Sequence, residues 1–209
     1  MTTEPSQPAR IAFLLSGAGR TLQNLVELIE GKTLPAQIAL VLSSNPAAIG
    51  VARARQHRLP IAIVDRKLFA NDAAFQNEIT RQVEAARADL VCMGGFLHLW
   101  RFPKKYEGKV LNIHPSLLPK FGGKKMYGAK VHTAVLAAQE KETGCTVHFC
   151  DLEYDHGPTI LQRKVKVLPD DTPEVLAERV FDLERAVYPE AIRMVIEGKI
   201  RYVGGKITA

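Results

Sequence analysis

Short apolar segments alternate with amphipathic segments along the first half of the chain, and this pattern predicts strands alternating with helices. The apolar runs, each short enough to be a buried strand, lie at residues 11–15, 36–42, 61–64, 89–93 and 110–114. The segments with helical spacing lie at residues 20–29, around Val51 and Ala54, and at 72–86. Continuous apolar strands joined by helices are typical of a parallel sheet with helices on both faces. We therefore predict an α/β fold with a Rossmann-like, mostly parallel, twisted sheet.

The pattern changes after residue 114. The predicted elements are then a Gly- and Lys-rich loop at 120–128, a helix at 131–139, strands at 143–151 and 159–168, and a long helix at 173–197. A tight loop with the sequence DHGP joins the last two strands. The whole sheet is expected to have about seven strands, and the C-terminal strands are expected to be partly antiparallel.

Composition and charge indicate a globular protein that binds anionic small molecules. The 209 residues are 46% hydrophobic and 24% charged, with a formal net charge of +6. No Lys/Arg run resembles a nucleic-acid-binding arm, and no segment reaches the roughly 18 apolar residues of a membrane span. We expect neither nucleic acid nor a membrane as a partner. We expect one domain over residues 10–209, with halves at 10–110 and 111–209, behind a disordered tail at 1–9.

The cysteines and the N-terminus favour a cytoplasmic protein. The chain has only three cysteines, Cys92, Cys145 and Cys150, and an odd number argues against a disulfide framework. The first ten residues lack the apolar centre of a signal peptide. Both features are typical of a reducing compartment. The sequence leaves open whether the protein is a monomer or a homodimer.

The end of the fifth predicted strand carries an amide and an imidazole on one face. Asn112 and His114 are two positions apart and therefore project to the same side of an extended chain. Pro115 removes a backbone donor, so the strand should stop there. An amide donor beside an imidazole suits chemistry at a carbonyl, because one polarises the oxygen and the other moves a proton. The ordinary alternative is a structural histidine near a proline turn.

The turn after the first strand is a candidate phosphate site. Its sequence is SGAGRT at residues 16–21, at the start of the first helix, where free N–H groups attract anions. Arg20 would add charge and Thr21 a hydroxyl donor. The turn departs from the dinucleotide fingerprint, because Leu22 stands where a third glycine is needed. The alternative is a plain strand-to-helix turn.

A carboxylate in the DHGP loop is a candidate partner of the imidazole. Asp155 beside His114 would raise the pKa of the imidazole and make it a proton donor near neutral pH. The alternative is a solvated turn residue. His148, on the preceding strand, is either structural or part of the site. The spacing of His114, His132, His148 and Asp155 matches no metal-ligand pattern, so no metal is expected.

Five motifs together carry a family resemblance. They are SGAG at 16–19, Gly95-Phe96, NIHPSLLP at 112–119, GCTVHF at 144–149 and DHGP at 155–158. In this order and spacing they resemble the phosphoribosylglycinamide formyltransferases, folate-dependent enzymes of purine biosynthesis, over about residues 10–200. The NIHPSLLP motif is specific to the formyl-folate superfamily, whereas the glycine turn alone is weak.

The resemblance implies a reaction. The amine of glycinamide ribonucleotide attacks the formyl carbon of the co-substrate 10-formyltetrahydrofolate and forms a tetrahedral oxyanion. Asn112 would hydrogen-bond that oxygen, and His114, as imidazolium, would stabilise it and donate a proton. Asp155 would keep His114 charged and help move the proton through water. No metal and no covalent enzyme intermediate are implied.

The resemblance also implies binding residues. Gly19, Arg20 and Thr21 match the turn that holds the ribonucleotide phosphate, and Glu184 matches the acidic residue that contacts the glycinamide substrate. The alternative for Glu184 is a solvated helix residue. The residues that match the folate site are Leu97, His98, Leu99, Trp100, Asn112, Asp151, Leu152, Glu153, Tyr154 and Asp155.

Three departures from the family pattern affect these assignments. Ala18 replaces the family's common Asn in the phosphate turn, and Arg20 replaces the usual Ser. Asp72 aligns with an Arg that contacts folate in some members. The loop at 122–128 is about five residues longer than in common bacterial members, and its lysines either contact an anionic folate tail or belong to a mobile lid.

Two other functions compete with transfer to the ribonucleotide. One is hydrolysis of the same formyl folate, although those enzymes usually carry an extra N-terminal domain and only about ten residues precede the first strand here. The other is a non-catalytic folate- or nucleotide-binding module, which would not need Asn112, His114 and Asp155 together. Formylation of a transfer RNA would normally need a C-terminal RNA-binding domain, and we expect none here because the sequence ends at Ala209.

Overall fold

A computed structural model describes residues 7–208, which form one seven-stranded sheet, five α-helices and a small hairpin. The sheet strands are β1 (Ala9–Leu15), β2 (Ala36–Ser43), β3 (Ile61–Ile63), β4 (Leu90–Gly94), β5 (Val110–His114), β6 (Glu142–Phe149) and β7 (Thr159–Lys166). The helices are α1 (Arg20–Glu30), α2 (Ile49–Gln56), α3 (Asp72–Ala85), α4 (Ala129–Ala137) and α5 (Pro173–Ile196).

The sheet order is β3-β2-β1-β4-β5-β6-β7. The first five strands pair in parallel, and β6 and β7 pair antiparallel to their neighbours. This confirms the predicted α/β fold with a mostly parallel sheet and antiparallel C-terminal strands. The order reverses between β1 and β4, and open α/β sheets bind ligands beyond the carboxyl ends of strands at such a point.

Alternate residues of the strands feed two apolar layers. From β1, Ile11 and Phe13 pack with α5 side chains such as Leu176, whereas Leu14 faces the layer that includes Phe75 of α3. All of these side chains are buried. Because both faces are covered, each central strand is a continuous apolar run, which explains why the apolar pattern located the strands.

One buried hydroxyl adds a polar contact between helix α5 and the middle of the sheet to the apolar packing described above. The Tyr188 hydroxyl lies 2.9 Å from the Met93 carbonyl oxygen and 3.1 Å from the Leu111 carbonyl oxygen. Met93 lies near the end of β4, and Leu111 lies in β5. Glu184 is one helical turn earlier, so this contact and the apolar packing hold its carboxyl group beside the ends of the strands.

The structure departs from the predicted boundaries at the chain ends. β1 begins at Ala9, so the predicted tail extends one residue too far, and residues 1–6 lie outside the described residues. A hairpin of β8 (Arg201–Val203) and β9 (Lys206–Thr208) was not predicted. Its turn, Gly204-Gly205, has positive φ at both positions, which is the signal for a two-residue hairpin. No helix in residues 7–208 has both the length and the apolar character that crossing a membrane requires.

Candidate active site

A cleft of about 680 Å³ opens at the carboxyl ends of β1, β4 and β5. The turn after β1, the segment after β4, the end of β5, the loop before α4 and one face of α5 form its walls. It brings together residues that are far apart in sequence and that the sequence analysis selected separately. These are Gly19, Arg20, Thr21, Leu97, Asn112, His114, Tyr154, Asp155 and Glu184.

His114 is buried and has an acceptor on each side of its ring. Its Nε2 lies 2.8 Å from the Phe121 carbonyl oxygen, and its Nδ1 lies 3.4 Å from Oδ2 of Asp155. Because a carbonyl oxygen only accepts, Nε2 carries the hydrogen and donates a hydrogen bond to the Phe121 carbonyl oxygen. Nδ1 is therefore the nitrogen that gains or loses a proton, and it does so next to a carboxylate.

Asn112 joins Asp155 to a second histidine. Its amide nitrogen lies 3.1 Å from Nε2 of His148 and 3.3 Å from Oδ1 of Asp155. His148 donates from Nδ1 to the Phe149 carbonyl oxygen at 2.9 Å, so its Nε2 is free to accept from Asn112. His148 is therefore fully partnered and orients Asn112, an outcome that combines both interpretations left open by the sequence.

Asp155 is held as an anion by the loops around it. Its backbone has a φ of 53°, and Oδ2 accepts a hydrogen bond of 2.9 Å from the Gly123 N–H. Burial raises the pKa of Asp155, but protonation of the neighbouring His148 or His114 and the hydrogen bond from the Gly123 N–H favour the carboxylate by more, so the pKa is lowered overall. The group is ionised at neutral pH.

The pKa of His114 differs from the prediction. Asp155 does raise it, but burial lowers it by more, and the pKa ends below its ordinary value. His114 is therefore mainly neutral at pH 7. The imidazolium is favoured only when negative charge develops beside it, as at an oxyanion.

The phosphate turn is built by close contact between two backbones. Gly19 has a φ of 69°, and a Cβ on it would meet Cα of Gly50 at 2.5 Å. Gly50 in turn donates from its N–H to the Gly17 carbonyl oxygen at 3.1 Å, and Arg53 donates from Nε to the Ala18 carbonyl oxygen at 3.0 Å. The glycine is needed for packing between the start of α1 and α2. The first turn of α1 then presents its N–H groups to the cleft.

Arg20 does not point freely into this cleft. Its guanidinium makes two hydrogen bonds to the Glu178 carboxylate, at 2.6 and 2.5 Å, and lies 3.8 Å from the centre of the Phe181 ring. Glu178 and Phe181 were not among the predicted site residues, and their helical spacing with Glu184 on one face of α5 is the signal that could have found them.

Glu184 lies on the cleft wall and is not the solvated helix residue of the alternative interpretation. Burial raises its pKa to about 7, and Arg20 offsets only part of that effect. A carboxyl group poised near neutral pH is suited to binding an amine or an ammonium group.

The predicted folate segment divides between the cleft and the core. Leu97 is exposed on the cleft wall, and Leu99 donates its N–H to the Tyr154 hydroxyl at 3.0 Å. His98 packs edge-on against Phe75, with ring centres 5.0 Å apart. Trp100 is buried in the core beside α3, where Nε1 donates to Oγ1 of Thr80 at 3.0 Å. The indole of Trp100 is therefore not placed to contact a ligand in the cleft, contrary to the prediction.

The loop at 151–155 is divided in the same way. Tyr154 and Asp155 line the cleft, whereas Leu152 and Glu153 are exposed. Asp151 accepts from the Glu153 N–H at 2.8 Å and pairs with His156 at 2.6 Å, so it shapes the loop from within.

Two further departures from the family pattern have clear positions. Asp72 is exposed and pairs with Arg66 at 2.7 Å, outside the cleft wall. The long loop at 122–128 does line the cleft, and its Lys124 and Lys125 are exposed there. The lysines are therefore placed where an anionic part of a ligand would pass.

His132 is a cleft residue that the sequence analysis considered only as a metal ligand. It is buried on α4, and its Nδ1 has no hydrogen-bond partner. Burial and the nearby His114 lower its pKa. Within residues 7–208, no three His, Cys, Asp or Glu side chains are grouped so that they could hold a metal ion.

Comparison with known proteins identifies the family to which most of the chain is similar. Residues 9–192 match the family described as formyl transferase. The phosphoribosylglycinamide formyltransferase of Haemophilus influenzae is 35% identical over 205 residues, covering 94% of each chain. The trifunctional purine biosynthetic protein adenosine-3 of Bos taurus is 40% identical over 195 residues, but the chain spans only 19% of its length.

Solved structures show the same relationship. Glycinamide ribonucleotide transformylase 1 of Symbiobacterium toebii has a TM-score of 0.89 and 35% identity, covering 97% of this chain and 94% of that one. A formyltetrahydrofolate deformylase of Pseudomonas syringae has a TM-score of 0.86 at 25% identity, and the match covers 67% of that chain. The chain belongs to the formyl transferase family, within it to the phosphoribosylglycinamide formyltransferases.

Proposed function

We propose that this protein transfers the formyl group of 10-formyltetrahydrofolate to the amine of glycinamide ribonucleotide. The observation that carries the proposal is the convergence of Asn112, His114 and Asp155 in the cleft that also holds the phosphate turn and Glu184. A formyl-transfer centre, an anion site and an amine-binding carboxyl thus share one space of sufficient size for two substrates.

The ribonucleotide is held at its two charged ends. Its phosphate binds at the start of α1, where the backbone N–H groups, Arg20 and Thr21 provide donors. The ionised form of Glu184 accepts a hydrogen bond from the amine. This fixes the nucleophile near the end of β5, and orientation of this kind removes much of the entropic barrier of a two-substrate reaction.

The chemistry proceeds through a tetrahedral intermediate. The amine nitrogen attacks the formyl carbon, and the electron pair of the C=O bond moves to oxygen. Asn112 turns an N–H from Asp155 to this oxyanion, and His114, protonated at Nδ1, stabilises it. The proton released by the attacking nitrogen reaches the departing folate nitrogen by way of His114, with Asp155 holding the imidazolium. The bond from carbon to that nitrogen then breaks.

The folate lies along the opposite wall. Leu97 supplies apolar contact, the Tyr154–Asp155 segment closes one side, and Lys124 and Lys125 face the anionic tail. Because protein side chains supply both the oxyanion donors and the proton carrier, the reaction requires no metal and no covalent enzyme intermediate.

The remaining assignments follow from the same scheme. Residues 10–209 act as one formyltransferase domain, in which residues 10–110 supply the phosphate turn and residues 111–209 supply the catalytic and folate loops. The partners are the two small-molecule substrates, without nucleic acid or membrane, and the protein acts as a monomer or a homodimer. Its three unpaired cysteines suit a reducing cytoplasm.

One assay distinguishes this function from its rivals. The protein is mixed with 10-formyltetrahydrofolate in the presence and absence of glycinamide ribonucleotide, and release of tetrahydrofolate is followed. Release that depends on the ribonucleotide supports the transferase. Release without it identifies a deformylase, and no release in either case identifies a binding module.

A further inference from the structure

We propose that Glu178 is an internal competitor of the substrate phosphate: its carboxylate occupies Arg20 and must be displaced when the ribonucleotide binds. This inference rests on the proposed function and adds to it a residue that sets selectivity for a phosphorylated ligand. Glu178 and Arg20 both line the cleft, beside the glycine turn at the start of α1.

The first argument is geometric. Both guanidinium end nitrogens of Arg20 contact Glu178, NH1 at 2.6 Å from Oε1 and NH2 at 2.5 Å from Oε2. A planar fork of this kind binds carboxylate and phosphate in the same two-point manner. Glu178 therefore occupies the NH1/NH2 edge of the guanidinium, and a phosphate at the start of α1 that binds through the same edge must displace it.

The second argument concerns the support beneath the guanidinium. The guanidinium carbon of Arg20 lies 3.8 Å from the centre of the Phe181 ring. Stacking engages the face of the guanidinium and leaves the N–H groups at its edge available. Phe181 can therefore keep Arg20 in place while the anion at its edge changes.

The third argument is that the exchange is energetically easy. The side chains of Arg20 and Glu178 are 40% and 62% exposed, so their ion pair is solvated and contributes little. A dianionic phosphate, held in addition by the helix N-terminus, attracts Arg20 more strongly than one carboxylate does. A neutral ligand of the same shape gains nothing from opening the pair, so Glu178 disfavours ligands that lack the phosphate.

The alternative is a permanent ion pair that joins α1 to α5 and orients Arg20. The two hypotheses predict opposite effects of Glu178→Gln, which removes the charge but keeps the shape. If Glu178 competes, the variant binds phosphate more tightly; if it orients Arg20, the variant binds phosphate more weakly.

The test measures the affinity for inorganic phosphate by calorimetry. We expect Glu178→Gln to lower the Kd about two- to fivefold, the range that corresponds to a solvated ion pair. Asp182→Asn is the matched control, because Asp182 acts on Arg20 only through its charge and does not line the cleft. Asp182→Asn should change the logarithm of the Kd for phosphate by less than half as much as Glu178→Gln does.

Two further measurements complete the test. In an Arg20→Ala background, Glu178→Gln should no longer tighten phosphate binding, and in both backgrounds it should leave the affinity for tetrahydrofolate unchanged. Unchanged or weaker phosphate binding in Glu178→Gln, equal tightening without Arg20, or no phosphate binding by either protein overturns the inference. Because these titrations involve no turnover, a failure of formyl transfer would contradict the proposed function and leave this result interpretable.

Discussion

Nδ1 of His114 lies 3.4 Å from Oδ2 of Asp155, and their side chains are only 5% and 11% exposed. The carboxylate is ionised and the imidazole is mainly neutral, because burial lowers the pKa of His114 more than Asp155 raises it. The imidazole of His114 is therefore ready to accept a proton during the reaction and is not an imidazolium beforehand.

This relationship predicts large losses on substitution. His114→Ala and Asp155→Asn should each lower kcat by at least about a hundredfold, the usual contribution of a positioned proton carrier. Steady-state kinetics with both substrates at saturation would measure this. Asp170→Asn, which changes an exposed carboxyl outside the cleft wall, is the control and should stay within about twofold of the parent. Near-parental turnover in either catalytic variant would contradict the assigned roles.

The sequence predicted the residues of this centre but not the protonation state of His114. The two-residue spacing of Asn112 and His114 and the proline after them were sufficient to place both side chains at a strand end. The burial of His114, which decides its protonation state, depends on the loop that brings Phe121 over the ring. That contact is made by folding and leaves no periodic signal in the sequence.

The same limit applies to the binding residues. The apolar runs located the five parallel strands, whose central members are covered on both faces, and the two C-terminal strands were predicted separately. The apolar runs could not show that Trp100 points into the core or that Glu178 meets Arg20, since each contact joins elements far apart in the chain. The hairpin at 201–208 was missed because its short strands are mostly exposed and carry no apolar run, although Gly204-Gly205 marks the turn.

Glu184 should control the pH dependence of substrate capture. Burial raises its pKa to about 7, and the ionised form is the one that binds the amine by accepting its hydrogen bond. We expect kcat/KM for the ribonucleotide to fall by about tenfold per pH unit below pH 7. Glu184→Gln should have a lower kcat/KM and lose this decline. If the decline persists in the variant, another group is responsible for it.

The same raised pKa predicts a cost to stability. Between the unfolded pKa near 4.5 and the folded pKa near 7, the unfolded chain releases its proton first, so stability falls as the pH rises. Glu184→Gln should therefore be more stable than the parent at pH 8, by at most about 3 kcal/mol and less where water enters the cleft. Urea unfolding should show a much smaller difference at pH 5. A difference that does not change with pH would indicate a packing effect.

Arg20 should act on binding and not on the chemical step. Arg20→Ala removes two charged donors from the phosphate site, and we expect KM for the ribonucleotide to rise roughly tenfold while kcat stays within about threefold. Arg55→Ala is the control, because Arg55 is exposed on α2 and does not line the cleft. An unchanged KM in Arg20→Ala would show that the phosphate is bound elsewhere.

Gly19 should be required for folding of the phosphate turn. A Cβ at this position would meet Cα of Gly50 at 2.5 Å, on a backbone with positive φ. Gly19→Ala should lower the free energy of unfolding by more than about 2 kcal/mol. Gly17→Ala is a close control, because a Cβ there meets nothing within 4 Å. Its effect on urea unfolding should be within about 0.5 kcal/mol, and equal losses in both variants would contradict the proposed packing role.

Leu97 and Trp100 should separate folate binding from stability. Leu97 is exposed on the cleft wall, so Leu97→Ala should raise KM for 10-formyltetrahydrofolate roughly tenfold with little loss of stability, because only the complex buries this side chain. Trp100→Phe should do the reverse, since the indole is buried and its hydrogen bond to Thr80 is lost. We expect an unchanged KM and a loss of about 1–3 kcal/mol on unfolding. A raised folate KM in Trp100→Phe, at full stability, would place the indole on the ligand after all.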